Sequence, residues 1–182
     1  TCDGLEYIEG IPEQAGFLEF AEKMKLVDPT IEIGAVGVSP VDSWGNFGNE
    51  VLAAGGDAID FYIVHSYGFG GAPEEDRVLT QAASIWDGSG EHLAAAFAEW
   101  NLPELDVAVT EYNLVAWHDA DADRLMNRFM NTFFLTQTIG QMALNGVDIA
   151  NQWDLLGVES TTGANYGLCL LYTSDAADEN PS

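Results

Sequence analysis

The stretch Val107-Ala108-Val109-Thr110-Glu111-Tyr112-Asn113 decides the fold that we expect for this chain. Its first residues are apolar and β-branched, as in a buried strand, and a glutamate, an aromatic ring and an amide follow them. In a barrel of parallel strands, functional side chains collect at the carboxyl ends of the strands. Glu111 is therefore the leading catalytic candidate, although a helix cap or a solvated loop position would also explain a single glutamate.

Strand and helix patterns alternate on both sides of this run. Apolar runs predict four strands, over 31–38, 59–65, 107–110 and 147–153. Helical spacing of apolar residues predicts helices over 12–27, 50–54, 74–86, 91–100 and 122–144, with Pro12 suited to a first turn. Such alternation predicts an α/β fold with a parallel sheet built from βα units.

Polar and aromatic side chains gather at the predicted strand ends. Besides Glu111 they are His65, Tyr67, Tyr112, Asn113, Asn151, Gln152 and Trp153. Aromatic faces stack on sugar rings, and amide and imidazole groups exchange hydrogen bonds with hydroxyls. We therefore predict a carbohydrate site at these ends. The alternative is that Tyr67 and Trp153 are core aromatics and that His65 is a structural histidine.

Composition limits the partners of the chain. Its 182 residues hold 30 Asp and Glu against 5 Lys and Arg, a formal net charge of -25, which repels nucleic acid backbones and anionic membranes. No stretch approaches the ~20 apolar residues of a membrane span. The two cysteines and three histidines show no metal-ligand spacing, so we expect no metal and no cofactor. A neutral carbohydrate partner is compatible with such an acidic chain.

Four segments carry a resemblance to a known family. They are 25–37, 59–65, 109–113 and 145–154. Together they resemble the C-terminal half of clan A glycoside hydrolases, most of all α-L-arabinofuranosidases of the family 51 type. The resemblance covers Leu5 to about Leu168 and implies a partial (β/α)8 TIM barrel, about strands five to eight with their helices. Residues 1–168 would then be the C-terminal half of a glycosidase barrel.

The resemblance also implies a retaining glycosidase that acts on plant-type polysaccharide. Glu111, after the seventh barrel strand, would be the nucleophile that attacks the anomeric carbon. His65 would line the same pocket after the sixth strand, and Trp153 would lie under the sugar after the eighth. The acid/base glutamate of the family belongs to the fourth strand, so we expect it to be missing upstream and the chain alone to be inactive.

Three other carboxylates of the chain are possible substitutes for that acid. Glu50 ends the same Gly-Asn-Glu tripeptide, but it opens a predicted helix, where the helix dipole favours a negative charge. Asp154 and Glu159 are weaker substitutes. Two other functions stay open, namely a different clan A activity, such as a β-xylosidase or an endo-glycanase, and a non-catalytic carbohydrate-binding half-barrel.

The two ends of the chain are unusual. Residues 169–182 do not fit the family and look like the translated adapter tail of a metagenomic gene fragment, so we predict a non-native or disordered tail there. The chain starts at Thr1, which indicates a truncated N-terminus and leaves both a secreted and a cytoplasmic location open.

The alternative to half of a barrel is a complete small α/β domain. Such a domain would need both edges of its sheet closed or covered, because open edges invite association.

Overall fold

The computed structural model describes residues 3–157, 163–167 and 169–170. In chain order the elements are α1 (Gly4–Glu9), β1 (Gly10–Ile11), β2 (Gln14–Ala15), α2 (Phe17–Val27), β3 (Gly34–Val36), α3 (Ser43–Gly55), β4 (Phe61–Phe69), α4 (Glu75–Ala82), α5 (Ser89–Glu99), β5 (Asp106–Val115), α6 (Phe129–Leu144), β6 (Ile149–Gln152), β7 (Leu156–Gly157) and β8 (Cys169–Leu170). Strands and helices alternate from β3 to β6, as predicted for an α/β chain.

The main sheet has four parallel strands in the order β3-β4-β5-β6. β3 and β4 pair with Gly34 opposite Phe61 and Val36 opposite Ile63. Strands that follow one another in the chain are neighbours in the sheet, and helix lies between each pair. This is the order of successive βα units, which is the architecture predicted for four consecutive barrel strands.

The start of the chain differs from the predicted helix over 12–27. β1 and β2 form an antiparallel hairpin with Pro12 in its turn, and α2 begins only at Phe17. A short helix, α1, precedes the hairpin, and the Asp3 side chain caps it by accepting a hydrogen bond from the Glu6 N–H at 3.0 Å. The Asp3-x-x-Glu6 spacing is the sequence signal for this cap.

β4 and β5 run beyond their predicted ends at residues 65 and 110. β4 continues to Phe69 and β5 to Val115, and next to these ends Ala116 N donates to Phe69 O at 2.8 Å. Polar side chains at 65–67 and 111–113 suggested the ends of strands, but the pairing of backbones does not depend on side-chain polarity. Glu111 therefore lies inside β5 and not directly behind it.

α6 begins at Phe129, later than the predicted residue 122. The cause is the buried carboxylate of Asp121, which accepts the backbone N–H groups of Leu125 and Met126, both at 2.9 Å. These bonds hold the preceding residues in a tight turn that includes the 3-10 helix Leu125–Asn127. The helix therefore starts once this turn is complete.

The chain forms two compact units, of which the first comprises residues 1–65, 87–109 and 145–149. Tyr62 is fully buried in its core, and its hydroxyl bonds to both the N–H and the carbonyl of Val38 at 3.0 Å. Its ring meets Phe97 edge-on at 5.6 Å. A Cβ at Gly37 would lie 1.9 Å from the Tyr62 ring, so this position requires glycine. Burial raises the pKa of Tyr62 to about 12.

The second unit comprises residues 66–86 and 110–144 and the described residues from 150 onward. Its buried apolar cluster consists of Val78, Ala82, Leu114, Val115, Leu125, Met126, Phe134 and Ala164. Phe134 of α6 packs closely over β4, since a Cβ at Gly68 would lie 2.5 Å from its ring. This core supports the C-terminal parts of β4 and β5.

The end of the described chain includes part of the predicted tail. Cys169 and Leu170 pair in parallel with Leu156 and Gly157. The paired backbone therefore includes the first two residues of the predicted tail, and residues 171–182 lie outside the described residues. Within the part of the chain that the structure describes, no helix combines the length and the apolar character needed to cross a membrane.

Candidate active site

Two side chains from neighbouring strands meet in the second unit. Tyr67 extends from β4 and Glu111 from β5, and the Tyr67 hydroxyl donates a hydrogen bond to Oε2 of Glu111 at 2.8 Å. Both side chains are partly buried, so water screens this bond less than it would a surface pair. The structure thus brings together two of the residues predicted to share one rim.

The hydroxyl of Tyr67 is held in its protonated form. Burial is the main cause that raises the pKa of Tyr67, and the hydrogen bond to Glu111 and the charge of that carboxylate raise it further. Tyr166 and Asp154 add smaller electrostatic contributions in the same direction. Tyr67 therefore donates and Glu111 accepts, which orients one oxygen of the carboxylate. A carboxylate oriented in this way can act as a nucleophile.

Tyr166 and Asp154 lie beside Tyr67. The Tyr166 ring meets the Tyr67 ring edge-on at 6.4 Å, and the Tyr166 hydroxyl donates to the carbonyl of Ala116 at 2.7 Å. The backbone N–H of Asp154 donates to the Tyr166 carbonyl at 3.4 Å. Tyr166 lies outside the predicted strands and helices, so no periodicity in the sequence marked it as a site residue.

A buried amide holds the segments that follow β6. Asn113 is fully buried, and its Nδ2 donates to the carbonyls of Trp153 at 2.6 Å and Tyr166 at 3.2 Å. Its Oδ1 accepts from the N–H of Leu114 at 2.8 Å and from Nδ2 of Asn131 at 3.4 Å. These bonds all go to protein groups. The sequence had suggested that Asn113 presents its amide to a ligand. The structure instead buries this amide, which holds the backbone of the rim in place.

The other predicted rim residues of this unit differ in exposure. The side chain of Tyr112 lies on the opposite face of β5 from that of Glu111 and is only 4% exposed. This burial raises the pKa of Tyr112. Gln152 is half-buried and Asn151 is exposed. Trp153 is 44% exposed, and its backbone N–H donates to the Tyr112 carbonyl at 3.2 Å. Trp153 is therefore the predicted aromatic with a ring surface available to a ligand.

Two further sequence candidates belong to the first unit. His65 is exposed on β4. Glu50 lies in α3, and its Oε2 accepts the N–H of Gly4 at 2.9 Å. Residues 44–46 of α3 are not helical, so Glu50 lies in the first turn of the regular helix that follows them, as predicted, and it also supports the N-terminus of α1. Glu159 lies outside the described residues, and among those described no three His, Cys, Asp or Glu side chains form a possible metal site.

Comparisons with solved structures show which known proteins share this fold. No protein-family model and no curated protein matches the chain. Among solved structures, the α-L-arabinofuranosidase of Thermotoga maritima in complex with arabinose is 21% identical over 76% of this chain and 28% of its own, with a TM-score of 0.54. A family 51 α-L-arabinofuranosidase from Bifidobacterium longum is 14% identical over 90% and 40%, with a TM-score of 0.54.

A third solved structure is a monomeric β-xylosidase from Caulobacter crescentus CB15, 15% identical over 93% of this chain and 37% of its own, with a TM-score of 0.53. The chain thus spans well under half the length of each of these TIM-barrel glycosidases. The partial TIM barrel is confirmed, and its likeness to clan A glycoside hydrolases, most of all the family 51 type, is confirmed at the level of the fold. Identities this low do not carry an activity with the fold.

Proposed function

We propose that this chain carries the nucleophile of a retaining glycoside hydrolase, Glu111, together with the tyrosine that orients it. The hydrogen bond of 2.8 Å between the Tyr67 hydroxyl and Oε2 of Glu111 is the observation that carries this proposal. Both residues lie in the C-terminal halves of adjacent parallel strands, where TIM-barrel active sites are built. The fold shared with solved glycosidases supports the same assignment.

In the proposed reaction, Glu111 attacks the anomeric carbon and forms a glycosyl ester while the bond to the leaving oxygen breaks. Tyr67 keeps its proton and holds the carboxylate in place. Trp153 offers its exposed ring to the apolar face of the sugar. The leaving oxygen takes a proton from a second carboxyl group, which in retaining enzymes lies about 5–5.5 Å from the nucleophile.

We propose that this second carboxyl group comes from a part of the barrel outside this chain, since the chain spans well under half of each solved glycosidase. The chain alone would then not turn over natural glycosides. The substrate class that we propose is a pentose glycoside of plant-type polysaccharide, an α-L-arabinofuranoside first and a β-xyloside second, because enzymes named for both share the fold.

A substrate with an activated leaving group tests the nucleophile without the missing acid. Dinitrophenolate departs without protonation, so the chain incubated with dinitrophenyl α-L-arabinofuranoside or β-D-xylopyranoside should release one equivalent of it. Mass spectrometry should then find one pentosyl group on Glu111. Glu111→Gln should abolish both signals, whereas Glu104→Gln, at an exposed position of the first unit, should leave both unchanged. A pentosyl group on another residue, or none at all, would refute the assignment.

A further inference from the structure

The first unit carries very little positive charge. Its sequence includes eighteen Asp and Glu residues but only two lysines and no arginine. Sixteen of these acidic side chains are exposed, and those of Glu50 and Asp60 are half-buried. Both lysines are already paired, Lys23 with Glu19 and Lys25 with Asp60. Two lysines balance two carboxylates, so sixteen negative charges of this unit have no lysine or arginine within it to balance them.

Helix ends explain some of these carboxylates but not others. Glu6, Glu19 and Glu91 lie in the first turns of α1, α2 and α5, where the helix dipole stabilises a negative charge. Glu9 and Glu99 have the opposite placement, because they are the last residues of α1 and α5. Neither of these last turns contains a basic residue, so both carboxylates lie at the negative end of a helix dipole. Their charges therefore destabilise the unit in dilute salt.

Salt weakens the repulsion among exposed carboxylates. Exposed charges interact over about 10 Å at 0.1 M salt but over only about 3 Å at 1 M. The same salt weakens the exposed pair of Lys23 and Glu19, but such a surface pair contributes little to stability. Two ion pairs stand against sixteen unbalanced charges, so the repulsion that salt removes outweighs the attraction that it removes. Added salt should therefore favour the compact form of this unit.

We propose that the first unit depends on salt for its fold, with small cations from the solvent screening the carboxylates that its two lysines leave unbalanced. These cations gather over the surface and occupy no fixed site. The unit is stable at about molar salt and loses stability as the salt is diluted, so the chain is suited to saline surroundings. This dependence comes from the surface of the first unit and is independent of the proposed nucleophile, which lies in the second.

The experiment is urea unfolding of the isotope-labelled 182-residue chain in about 0.1 M and about 2 M KCl, followed by nuclear magnetic resonance. Urea is uncharged, so it leaves the screening unchanged. The backbone amide signal of Tyr62 reports on the first unit, because this residue is fully buried in its core. The equilibrium constant for unfolding at Tyr62 should fall by roughly tenfold or more at the higher salt concentration, since many weak repulsions are screened together. NaCl at the same concentrations should have the same effect.

A double variant tests whether the carboxylates cause this effect. Glu9→Gln combined with Glu99→Gln removes two charges from the negative ends of helix dipoles. It should lower the unfolding constant by about threefold in dilute KCl and change it little in concentrated KCl. Glu19→Gln is the matched control, because it also removes an exposed charge, but from the first turn of α2 and from the pair with Lys23. This control should raise the unfolding constant in dilute KCl.

Each outcome supports or overturns the proposal. Stabilisation by salt at Tyr62, with opposite effects of the double variant and of Glu19→Gln in dilute KCl, supports it. A first unit that is folded only in concentrated KCl supports it as well. The same unfolding constant at both salt concentrations overturns it, as does a unit that stays unfolded at both. A double variant that responds to salt as strongly as the unchanged chain would mean that salt acts on apolar burial and not on the carboxylates. A response to KCl that NaCl does not reproduce would replace screening by a fixed cation site.

Discussion

The Tyr67 hydroxyl on β4 donates to Oε2 of Glu111 on β5 at 2.8 Å, so two adjacent strands present one hydrogen-bonded pair. A hydrogen bond to a charged group contributes about 1.5–3 kcal/mol. We therefore expect Tyr67→Phe to slow the formation of the pentosyl ester on Glu111 by roughly tenfold to a hundredfold. The rate of dinitrophenolate release measures this effect.

Tyr166→Phe is the control for that variant. It keeps the ring beside Tyr67 and loses only the hydroxyl that donates to the Ala116 carbonyl. The rate of ester formation should therefore change much less than in Tyr67→Phe. Equal rates for Tyr67→Phe and the unchanged chain would show that this hydrogen bond does not orient the nucleophile.

The buried Tyr62 predicts a dependence of stability on alkaline pH. Tyr62→Phe leaves the N–H and the carbonyl of Val38 without their hydroxyl partner, which should lower the free energy of unfolding by about 1–3 kcal/mol at neutral pH. Burial raises the pKa of Tyr62 from 10.0 to about 12, so the unfolded chain loses this proton first. The stability that Tyr62 contributes is complete below pH 10 and is lost as the pH rises from 10 to about 12.

Urea unfolding of the unchanged chain and of Tyr62→Phe at a series of pH values checks this pH dependence. The difference in unfolding free energy between the two proteins should be constant up to pH 10 and shrink above it. A constant difference up to pH 12 would mean that Tyr62 ionises equally in the folded and unfolded chain.

The order of the strands in the sheet was predictable, because strands joined by successive βα units lie side by side in chain order. The apolar run at 107–110 lies within β5, and the run at 59–65 overlaps the start of β4. Strand length was not predictable, because it is set by the partner strand, as at Ala116 and Phe69. Pro12 likewise suits both a first helical turn and a hairpin turn, and the pairing of Gly10 with Ala15 selects the hairpin.

The candidate site was predictable only in part. Tyr67 and Glu111 could be predicted because each lies just after an apolar run that indicates a strand. The role of Asn113 could not be inferred, since its partners lie 40 residues away at Trp153 and 18 residues away at Asn131. Burial of a polar side chain by distant segments leaves no periodic trace in the sequence.

A partly exposed ion pair in the first unit predicts a dependence of stability on acidic pH. Burial alone would raise the pKa of Asp60, but the Lys25 ammonium and the Ile33 N–H lower it on balance. Lys25 Nζ lies 2.8 Å from Oδ1 and 2.6 Å from Oδ2 of Asp60. Because the pKa of Asp60 is lower in the folded chain than its unfolded value of 3.8, ionised Asp60 stabilises the fold at pH values above 3.8. This stability is lost as the pH falls through the pKa of Asp60 in the folded chain.

Lys25→Met should therefore shift the midpoint of acid unfolding to higher pH and cost at most about 1 kcal/mol at neutral pH, since both partners are partly exposed. Lys23→Met is the matched control, because Lys23 pairs with Glu19 on the exposed face of α2. Circular dichroism during acid titration compares the two. An equal midpoint in both variants would contradict a special role for Lys25.

Asn113→Leu should destabilise the second unit. The substitution leaves the carbonyls of Trp153 and Tyr166 without their donor in the interior, and we expect a loss of about 2–4 kcal/mol in the free energy of unfolding. Asn151→Leu, at an exposed position, should change it by less than about 0.5 kcal/mol. Denaturant unfolding of both variants measures the difference, and similar values would mean that the amide does not hold the rim.

The amide of Asn113 also bears on how this protein could change its ligand. The backbone carbonyl of Trp153, whose ring is exposed, accepts a hydrogen bond from this buried amide, and Asn131 donates to the same amide. A laboratory selection for altered sugar preference should therefore enrich substitutions at buried asparagines as well as at the surface. Libraries restricted to exposed positions would miss Asn113.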